Sequence, residues 1–406
     1  MVSTPDSHVL IVGAGCFGLS TAYHLLKRGY KNVTVIDRAP ELPAADAAST
    51  DINKIVRSAY PDVFYTRLAR EAIAAWKNRE EWGDAYHEYT DKAYENDIAH
   101  GARVDLVDTV DAARAYFPDG VTISMTDARG YLNRDGGWAW ASKGIQRAME
   151  LVTALGGKIV PGKAVAQLLR TDGRATGVRC VDGSTFAADA VVLATGSWSA
   201  SAFPDLGLEG QCLATGQTVC MLQLTPEEAA RYRDCPVYLN FHTGFYVFPP
   251  TADGIVKCAI HSGGYVRKVP VDGASSASGI STPRTVVSDG ADGLRIPRAA
   301  VRLLREELGR IYPELGRKPF VGTRLCWYTD STNDDWVVGA HPEVENLMLA
   351  TGALFLPVIG TLVADALEGK LPPDLAPTAT PEIRLTLPKD LLLDDLCTPD
   401  DLLPPA

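Results

Sequence analysis

The sequence has no run of lysine or arginine and no basic stripe, and its 50 acidic side chains outnumber its 39 basic ones. The net charge of −11 argues against nucleic acid as a partner. The eight cysteines show no Cys-x-x-Cys spacing. This argues against a zinc site and a disulfide scaffold, and it is typical of a reducing compartment. We therefore expect no bound metal.

The sequence also lacks an uninterrupted apolar run that predicts a membrane span. The most apolar stretch, residues 347–367, is broken by two glycines, a proline and an aspartate, so it predicts a buried strand, a turn and a helix. The polar first eight residues do not resemble a signal peptide, and no peroxisomal tripeptide ends the chain. We expect a cytoplasmic monomer or small homo-oligomer that does not bind membranes.

The first forty residues predict a β-α-β unit. HVLIVGAG is a continuous apolar run typical of a buried strand, LSTAYHLLKRG has helical spacing, and NVTVID predicts a second buried strand. Gly13, Gly15 and Gly18 form a G-x-G-x-x-G motif between the first strand and the helix, where backbone N–H groups can approach a pyrophosphate. Asp37 ends the second strand, where a ribose is usually bound. FAD and NAD both use this device, so the motif alone leaves the cofactor open.

The remaining periodicities outline a second layer of structure. Short alternating strands between residues 216 and 270 predict an antiparallel sheet. Helical spacing predicts helices over 61–82, 134–155 and 298–312. The Ser/Gly-rich residues 272–293 predict a surface loop, and the segment from 373 onward predicts an extended tail.

Six motifs share one resemblance: GAGCFG, STDINKIVRSAY, GYLNRDGGW, VVLATGSWS, DGIVKCAIH and RLCWYTDSTNDDWVVG. The chain resembles the FAD-dependent amine oxidases of the sarcosine oxidase, fructosyl amino acid oxidase (amadoriase) and L-pipecolate oxidase type, and its motifs look most like fungal members. The resemblance implies an α/β fold of the glutathione reductase or p-hydroxybenzoate hydroxylase type. In it, a Rossmann-like FAD-binding domain (1–85, 145–215 and 320–406) is interleaved with an antiparallel-sheet substrate domain (86–144 and 216–319).

The implied activity is oxidation of the C–N bond of a secondary amine amino acid such as sarcosine, pipecolate or another N-alkyl amino acid. The imine product hydrolyses, and O2 is reduced to H2O2, so the expected partners are a small amine and O2. Alternatives are a fructosyl amino acid (Amadori) oxidase, a flavin-dependent biosynthetic oxidoreductase, and a non-catalytic flavoprotein of this fold. A flavin hydroxylase would share the glycine motif but would have no use for a covalent anchor. An NAD-dependent dehydrogenase would also share the motif but would not need Lys257.

The glycine motif and the resemblance together assign these cofactor contacts: Gly13, Gly15, Cys16, Phe17, Gly18, Asp37, Arg38, Ser49, Thr50, Asn53, Lys54, Ala164, Val165, Thr195, Gly196, Trp198, Cys326, Phe355 and Leu356. In the family, the cysteine of the RLCWYTD-like motif forms a thioether to the flavin, so Cys326 is the expected covalent anchor for FAD. A thioether needs a thiolate, which a neighbouring cation such as Arg324 stabilises. The residue itself favours the alternative, a small hydrophobic side chain filling a core gap.

Three residues carry the implied chemistry. Lys257 alternates inward on a strand, and in the family the matching lysine promotes the reaction of reduced flavin with O2 by stabilising developing negative charge. The alternative is an exposed edge lysine.

His261, on the same strand face, lines the substrate pocket or is structural. Amadoriases tend to carry glutamate at this position, which counts against fructosyl substrates. Arg57 matches the arginine that holds the substrate carboxylate, or it forms a salt bridge within its own loop. Four further residues are expected in the pocket: Tyr131, Asn133, Phe245 and Tyr246.

One segment departs from the family pattern. Members carry a His-x-Phe-Lys motif in the glycine-rich loop after the last buried strand, and its lysine is a second carboxylate clamp. Here only Ala-Leu-Phe-Leu separates Gly352 from Pro357. Either the substrate contact differs in this protein, or the sequence has lost a loop.

Overall fold

The apolar segments at the start of the chain form strands of a central, mostly parallel sheet. The computed structural model describes residues 3–58, 60, 62–88, 103–125, 129–272, 279–332, 335–352, 355–371 and 391–404. Its strands are β1 His8–Val12, β2 Asn32–Ile36, β3 Lys54–Val56, β4 Tyr86–Glu88, β5 Val104–Val107, β6 Gly130–Asn133, β7 Gly137–Ala139, β8 Lys158–Val160, β9 Val165–Thr171, β10 Arg174–Cys180, β11 Thr185–Ala187, β12 Ala190–Leu193, β13 Leu213–Gln223, β14 Tyr238–Leu239, β15 Phe245–Val247, β16 Ile255–Val266, β17 Lys268–Val269, β18 Ile280–Ser281, β19 Gly322–Asp330, β20 Val337–Ala340, β21 Leu347–Thr351 and β22 Leu391–Leu392.

Helices connect and cover these strands. In the described residues they are α1 Cys16–Lys27, α2 Val63–Trp76, α3 Arg79–Trp82, α4 Val110–Arg114, α5 Ala141–Ala154, α6 Ser199–Ala202, α7 Pro226–Tyr232, α8 Val286–Asp289, α9 Arg298–Ile311, α10 Pro313–Gly316 and α11 Ile359–Leu367. Short 3-10 turns lie at Ala48–Thr50, Gly196–Trp198, Pro204–Leu206, Leu208–Gly210, Gly290–Leu294 and Pro399–Leu402.

The central sheet has the order β20-β21-β12-β1-β2-β8, and only β20 runs antiparallel to its neighbour. Its strands are apolar on both faces because both faces are covered. Val9 and Ile11 pack with helices α1, α5 and α11, whereas Leu10 and Val12 pack with the three-stranded sheet β9–β11. This alternation explains why β1 is a continuous apolar run rather than an alternating one.

A second, antiparallel sheet has the order β14-β15-β16-β13-β19, and β22 pairs with β16. One face packs against α9 through Leu304, Leu308 and Ile311. The opposite face, with Val219 and Ala259, turns toward the central sheet's loops. The antiparallel sheet expected between residues 216 and 270 is confirmed, and β19 extends it from a distant part of the sequence.

The α/β fold class is confirmed by these sheets. The strands of the central sheet fall within the three segments predicted for FAD binding, although β19, in the third of them, is hydrogen-bonded to the antiparallel sheet. The division of the chain into two domains at the stated boundaries stays a prediction. No helix of the described residues is long and apolar enough to cross a bilayer, and all eight cysteines are free and buried.

Several predicted elements differ in detail. The helix expected over 61–82 is two helices, because Asn78 caps a new helix with its side chain. The helix expected over 134–155 begins only at Ala141, since β7 precedes it. The predicted loop 272–293 contains β18 and α8, and its residues 273–278 lie outside the described part. Of the predicted tail, residues 372–390 also lie outside it.

Helices α1 and α11 approach so closely that a glycine is required at their contact. A Cβ atom on Gly360 would lie 2.0 Å from the backbone oxygen of Ser20. The Gly360 N–H also donates to Ser20 Oγ at 2.9 Å. The contact lies next to the glycine motif, because α1 begins at residue 16. Backbone rather than side-chain atoms would have to move to relieve the clash.

We expect Gly360→Ala to destabilise the protein by about 1–3 kcal/mol or more, since overpacking a rigid contact forces backbone shifts. Thermal unfolding of the FAD-loaded protein measures the effect. Gly210→Ala is the matched control, because its Cβ would meet nothing within 4 Å. Equal unfolding midpoints for the two variants would contradict the packing argument.

Candidate active site

A cavity of about 960 Å³ lies between the carboxyl ends of the parallel strands and the antiparallel sheet. Val12, Asp37, Ala194 and Thr351 bring the ends of β1, β2, β12 and β21 to its wall. Ligands of open α/β sheets bind at this edge, where helix N-termini and strand ends converge. The large volume and the mixed lining define the candidate site.

The glycine motif forms one end of the cavity. Gly13 has a positive φ of +111°, and a Cβ there would lie 2.3 Å from the Ala194 oxygen. Gly15 is the N-cap of α1 without a side-chain cap, and the first turn of this helix holds no acidic residue. The N-terminal end of α1, with the positive end of the helix dipole, therefore lies at the cavity, which suits an anionic phosphate group.

Asp37 is held rigidly at the same end. Its carboxylate accepts the Ala14 N–H at 2.7 Å and the Ala39 N–H at 2.8 Å. Next to it, the Arg38 guanidinium lies 4.0 Å from the centre of the Trp198 ring. These contacts fix a carboxylate and a flat cationic surface beside the glycine turn, as a ribose and an adenine require.

A buried hydroxyl group left without a partner also fits a large cofactor. The buried Thr351 Oγ1 lines the cavity and, within the described residues, has no hydrogen-bond partner. Unsatisfied buried polar groups are rare in native proteins, and a bound molecule would give this hydroxyl a partner. Together with the glycine cradle, Thr351 shows that the residues present fit FAD. The polar side-chain atoms of Asn53 and Thr50 Oγ1 are also unpaired within the described residues, but these two residues do not line the cavity.

A buried ion pair lies on the side of the cavity formed by β16. Lys257 lines the cavity and is only 1% exposed, and its Nζ donates to Asp51 Oδ2 at 2.6 Å and to the Asn53 carbonyl at 2.8 Å. Burial lowers the pKa of Lys257 to about 8, although Asp51 opposes this effect. Burial also disfavours the Asp51 anion, but Lys257, Lys54 and Arg324 outweigh it and lower the pKa of Asp51.

Cys326 does not line the cavity, but it is hydrogen-bonded to Lys54, which does. The Lys54 ammonium lines the cavity, 3.0 Å from Cys326 Sγ and 3.1 Å from Asp51 Oδ2. Burial opposes the charge of Lys54, yet Cys326 and Asp51 raise its pKa above the usual value. The pKa of Arg324 is subject to the same two influences. Burial lowers it, but Asp51 and Cys326 together raise it above the usual value. Lys54 and Arg324 therefore place two cationic side chains beside the sulfur of Cys326.

Another part of the cavity wall is formed by aromatic rings and by two predicted site residues. The guanidinium of Arg57 lies over the Tyr60 ring, with its Cζ 4.6 Å from the ring centre. The His261 ring lies 6.0 Å from the Tyr328 ring. Arg57, Tyr60, His261 and Tyr328 all line the cavity. A cation, an imidazole and aromatic walls can hold a small amino acid by its carboxylate and its apolar part.

Most of the predicted residues meet in this cavity: Gly13, Gly15, Cys16, Phe17, Asp37, Arg38, Ser49, Lys54, Arg57, Ala164, Val165, Thr195, Gly196, Trp198, Tyr246, Lys257 and His261. Six predicted cofactor residues do not line it: Gly18, Thr50, Asn53, Cys326, Phe355 and Leu356. Gly18 instead packs α1 against the glycine turn, since a Cβ there would lie 1.8 Å from the Gly13 oxygen. Phe355 packs against Tyr60, with ring centres 5.6 Å apart.

Three of the four predicted pocket residues also do not line the cavity: Tyr131, Asn133 and Phe245. Phe245 faces the core under α9 because strand alternation on β15 turns only Tyr246 toward the cavity. Asn133 accepts the N–H groups of residues 135 and 136, so its side chain serves the following turn. Residues 353 and 354, within the segment that departs from the family pattern, lie outside the described part.

Asp51, the carboxylate that pairs with both Lys54 and Lys257, was not among the predicted site residues. Its only sequence signal is its position three residues before Lys54 in STDINKIVR. Cavity-lining Tyr328 was likewise missed, although it follows Cys326 by two residues and so shares its face of β19.

Fold and site define a flavin-type oxidoreductase with a dinucleotide cradle and a charged, partly aromatic reaction chamber. The chain belongs to the FAD dependent oxidoreductase family, whose model matches residues 8–366. It is 28% identical to L-saccharopine oxidase of Schizosaccharomyces pombe, over 89% of this chain and 90% of that protein. Identity to peroxisomal sarcosine oxidase of Mus musculus is 25%, over 91% and 94% of the two chains. The structure of fructosyl peptide oxidase from E. terrenum has a TM-score of 0.83 and 28% identity, over 92% of each chain. The predicted resemblance and the FAD-dependent enzyme class are confirmed.

We expect Asp51→Asn to destabilise the protein by about 3–5 kcal/mol, because removing one partner of a buried ion pair leaves the other uncompensated. Denaturant unfolding measures the loss. The control is Asp205→Asn, which breaks the exposed pair with Arg170 at 2.7 Å and should cost about 0–1 kcal/mol. Losses of similar size in both variants would show that the buried pair is not special.

Proposed function

We propose that this protein is an oxidase of secondary-amine amino acids, of the kind represented by sarcosine, pipecolate and other N-alkyl amino acids. The observation that carries the proposal is the Lys257 ammonium, which is fixed by Asp51 in the wall of the cavity that the glycine cradle also lines. When bound, FAD supplies oxidation of the carbon next to the nitrogen and passes the electrons to O2, giving H2O2. The names of the relatives, L-saccharopine oxidase and sarcosine oxidase, support this class of substrate.

The chain's own residues supply orientation and charge. Arg57 binds the substrate carboxylate through paired N–H donors, which fixes the position of the neighbouring carbon. His261 and Tyr328 form the wall beside the amine. Lys257 presents a preorganised positive charge where negative charge develops on O2, and this stabilisation needs no rearrangement during the reaction.

FAD is held covalently through Cys326 in this proposal. The sulfur accepts a hydrogen bond from Lys54, whose Nζ lies 3.0 Å away. Cys326 would hold FAD through a thioether, whose formation would remove one hydrogen from the thiol and one from a flavin methyl group, with O2 taking up both as H2O2. Cys326 itself does not line the cavity, but Lys54, its hydrogen-bond partner, does, as do the next two residues of β19, Trp327 and Tyr328.

An Amadori oxidase is the second candidate, since the structure of fructosyl peptide oxidase matches this chain closely in fold. The resemblance places a glutamate in amadoriases at the position of His261. A sugar-derived substrate would therefore meet an imidazole here instead of the glutamate carboxylate. We therefore rank N-alkyl amino acids above fructosyl amino acids. A cytoplasmic location, a monomer or small homo-oligomer, and the lack of membrane and nucleic-acid partners stay predictions.

The function is tested by mixing the FAD-loaded protein anaerobically with sarcosine, L-pipecolate and fructosyl valine. We expect the first two to bleach the flavin absorbance faster than the third, and H2O2 to appear when air is admitted. Failure of all three to bleach the flavin would overturn the proposal, and preferential bleaching by fructosyl valine would favour the Amadori alternative.

Lys257→Met should slow reoxidation by O2 by about a hundredfold to a thousandfold, the range for losing one preorganised charge. Anaerobic reduction of the flavin should change far less, because the side-chain length is kept. Stopped-flow absorbance separates the two half-reactions. Since protonated Lys257 exists mainly below its pKa of about 8, reoxidation of the wild-type protein should also slow as the pH rises above about 8.

The matched control for this variant is Lys268→Met on the exposed part of β17. It should leave both half-reactions unchanged. A Lys257→Met protein that reoxidises at the wild-type rate would reduce Lys257 to a structural residue and remove the main chemical support for an oxidase.

Cys326→Ala should convert covalent FAD into extractable FAD. Acid precipitation of the wild-type protein should leave a yellow pellet, whereas the variant should release its flavin to the supernatant. Cys212→Ala, a change at another buried thiol, should retain the yellow pellet. Release of all flavin from the wild-type protein would rule out the covalent bond while leaving the oxidase proposal standing.

A further inference from the structure

The turn between β14 and β15, residues 240–244, places an aromatic ring at the mouth of the cavity. Phe241 is 55% exposed, yet it lines the cavity, and its ring centre lies 5.5 Å from Cζ of Arg57. A phenylalanine on an exposed turn leaves apolar surface in water that a polar residue would not. Its contact with a guanidinium is therefore the feature that needs an explanation.

The turn is braced, so the position of the ring is fixed by the core. The Asn240 side chain accepts the N–H groups of His242 at 2.9 Å and Thr243 at 3.2 Å. Thr243 Oγ1 in turn donates to Glu307, a carboxylate of α9 that is only 3% exposed. At its far end, Gly244 accepts the N–H of His261 at 2.9 Å. The turn thus links α9, the His261 strand and Arg57.

Arg57 is contacted by a second ring, that of Tyr60 at 4.6 Å. Contacts over ring faces attract the guanidinium through its charge, whereas its N–H donors lie in its own plane. Aromatic contacts of this kind restrict the rotamers of the Arg57 side chain. They also replace water next to the charge, which strengthens any ion pair that it makes.

We propose that Phe241 is a positioning and specificity residue for the substrate carboxylate: it covers Arg57 at the cavity mouth and holds its guanidinium in the binding orientation. The inference rests on the proposed carboxylate-binding role of Arg57 and deepens it. It identifies the preferred substrates as amino acids with a free carboxylate, in contrast to their amides and esters, which cannot form the paired charged contact.

The shielding of Arg57 by the Phe241 ring is tested first, without any substrate. The FAD-loaded wild-type, Phe241→Ala and Phe241→Tyr proteins are treated with phenylglyoxal, and modification of Arg57 is followed by peptide mass spectrometry. We expect Arg57 to react about threefold or more faster in Phe241→Ala, the size of a lost cation–π contact, and at the wild-type rate in Phe241→Tyr. Equal rates in all three proteins would overturn the cover.

Positioning is tested by steady-state kinetics with sarcosine and sarcosine amide. Phe241→Ala should raise KM for sarcosine by about threefold to tenfold, leave kcat within about twofold, and leave the amide unaffected. Phe241→Tyr should restore the wild-type KM. Val321→Ala, a change at another residue that is 55% exposed, is the control for a general surface effect. A fall in kcat alone, or equal losses for the acid and the amide, would overturn the positioning role.

Failure of this inference and failure of the proposed function are distinguishable. If neither sarcosine nor its amide is oxidised by the wild-type protein, the proposed substrate class is wrong, and the labelling rates still decide whether Phe241 covers Arg57. If sarcosine is oxidised and the Phe241→Ala protein matches the wild-type protein in labelling and KM, only the inference about Phe241 is wrong.

Discussion

The contact on which the site depends is the buried ion pair between Lys257 and Asp51. Taking both charges out of water is costly, and only close contact with further hydrogen bonds offsets that cost. The pair meets both conditions, with a separation of 2.6 Å and a second acceptor in the Asn53 carbonyl. Because Lys257 comes from the antiparallel sheet and Asp51 from the loop after β2, the pair joins the two sides of the cavity. Formation of the chamber and burial of the charges are therefore one event.

Three cationic side chains, Lys54, Lys257 and Arg324, act on Asp51 and favour its charged form. Lys54 and Lys257 also line the cavity, so positive charge is in place there before any ligand arrives. A preorganised charge of this kind stabilises negative charge that develops during a reaction, and it does so without rearrangement of the protein.

Local patterns predicted much of this architecture. The buried strands, the glycine cradle, Asp37 and the inward side of Lys257 follow from continuous apolar runs, turn chemistry and strand alternation, all of which are properties of neighbouring residues. Asp51 could not be predicted as the partner of Lys257, because 206 positions separate them and only the tertiary fold sets their distance. The wrong placement of Phe245 has a related cause: alternation predicts that Phe245 and Tyr246 face opposite ways, but which one faces the cavity depends on the sheet's packing against α9.

Two parts of the cavity wall are built on different physical principles, and this difference explains where the chain can vary. The cradle at Gly13 depends on backbone N–H groups and on contacts too close for a side chain, so few residue types fit it. Another part of the cavity wall is formed by side chains presented by β16, by the segment after β3 and by the turn that carries Phe241. The segment between Gly352 and Pro357, which departs from the family pattern, includes Phe355, and Phe355 packs against Tyr60. Under the proposed function, these side-chain contacts can vary while the backbone cradle is kept, and the aromatic contacts of Arg57 act on the recognition of the substrate carboxylate.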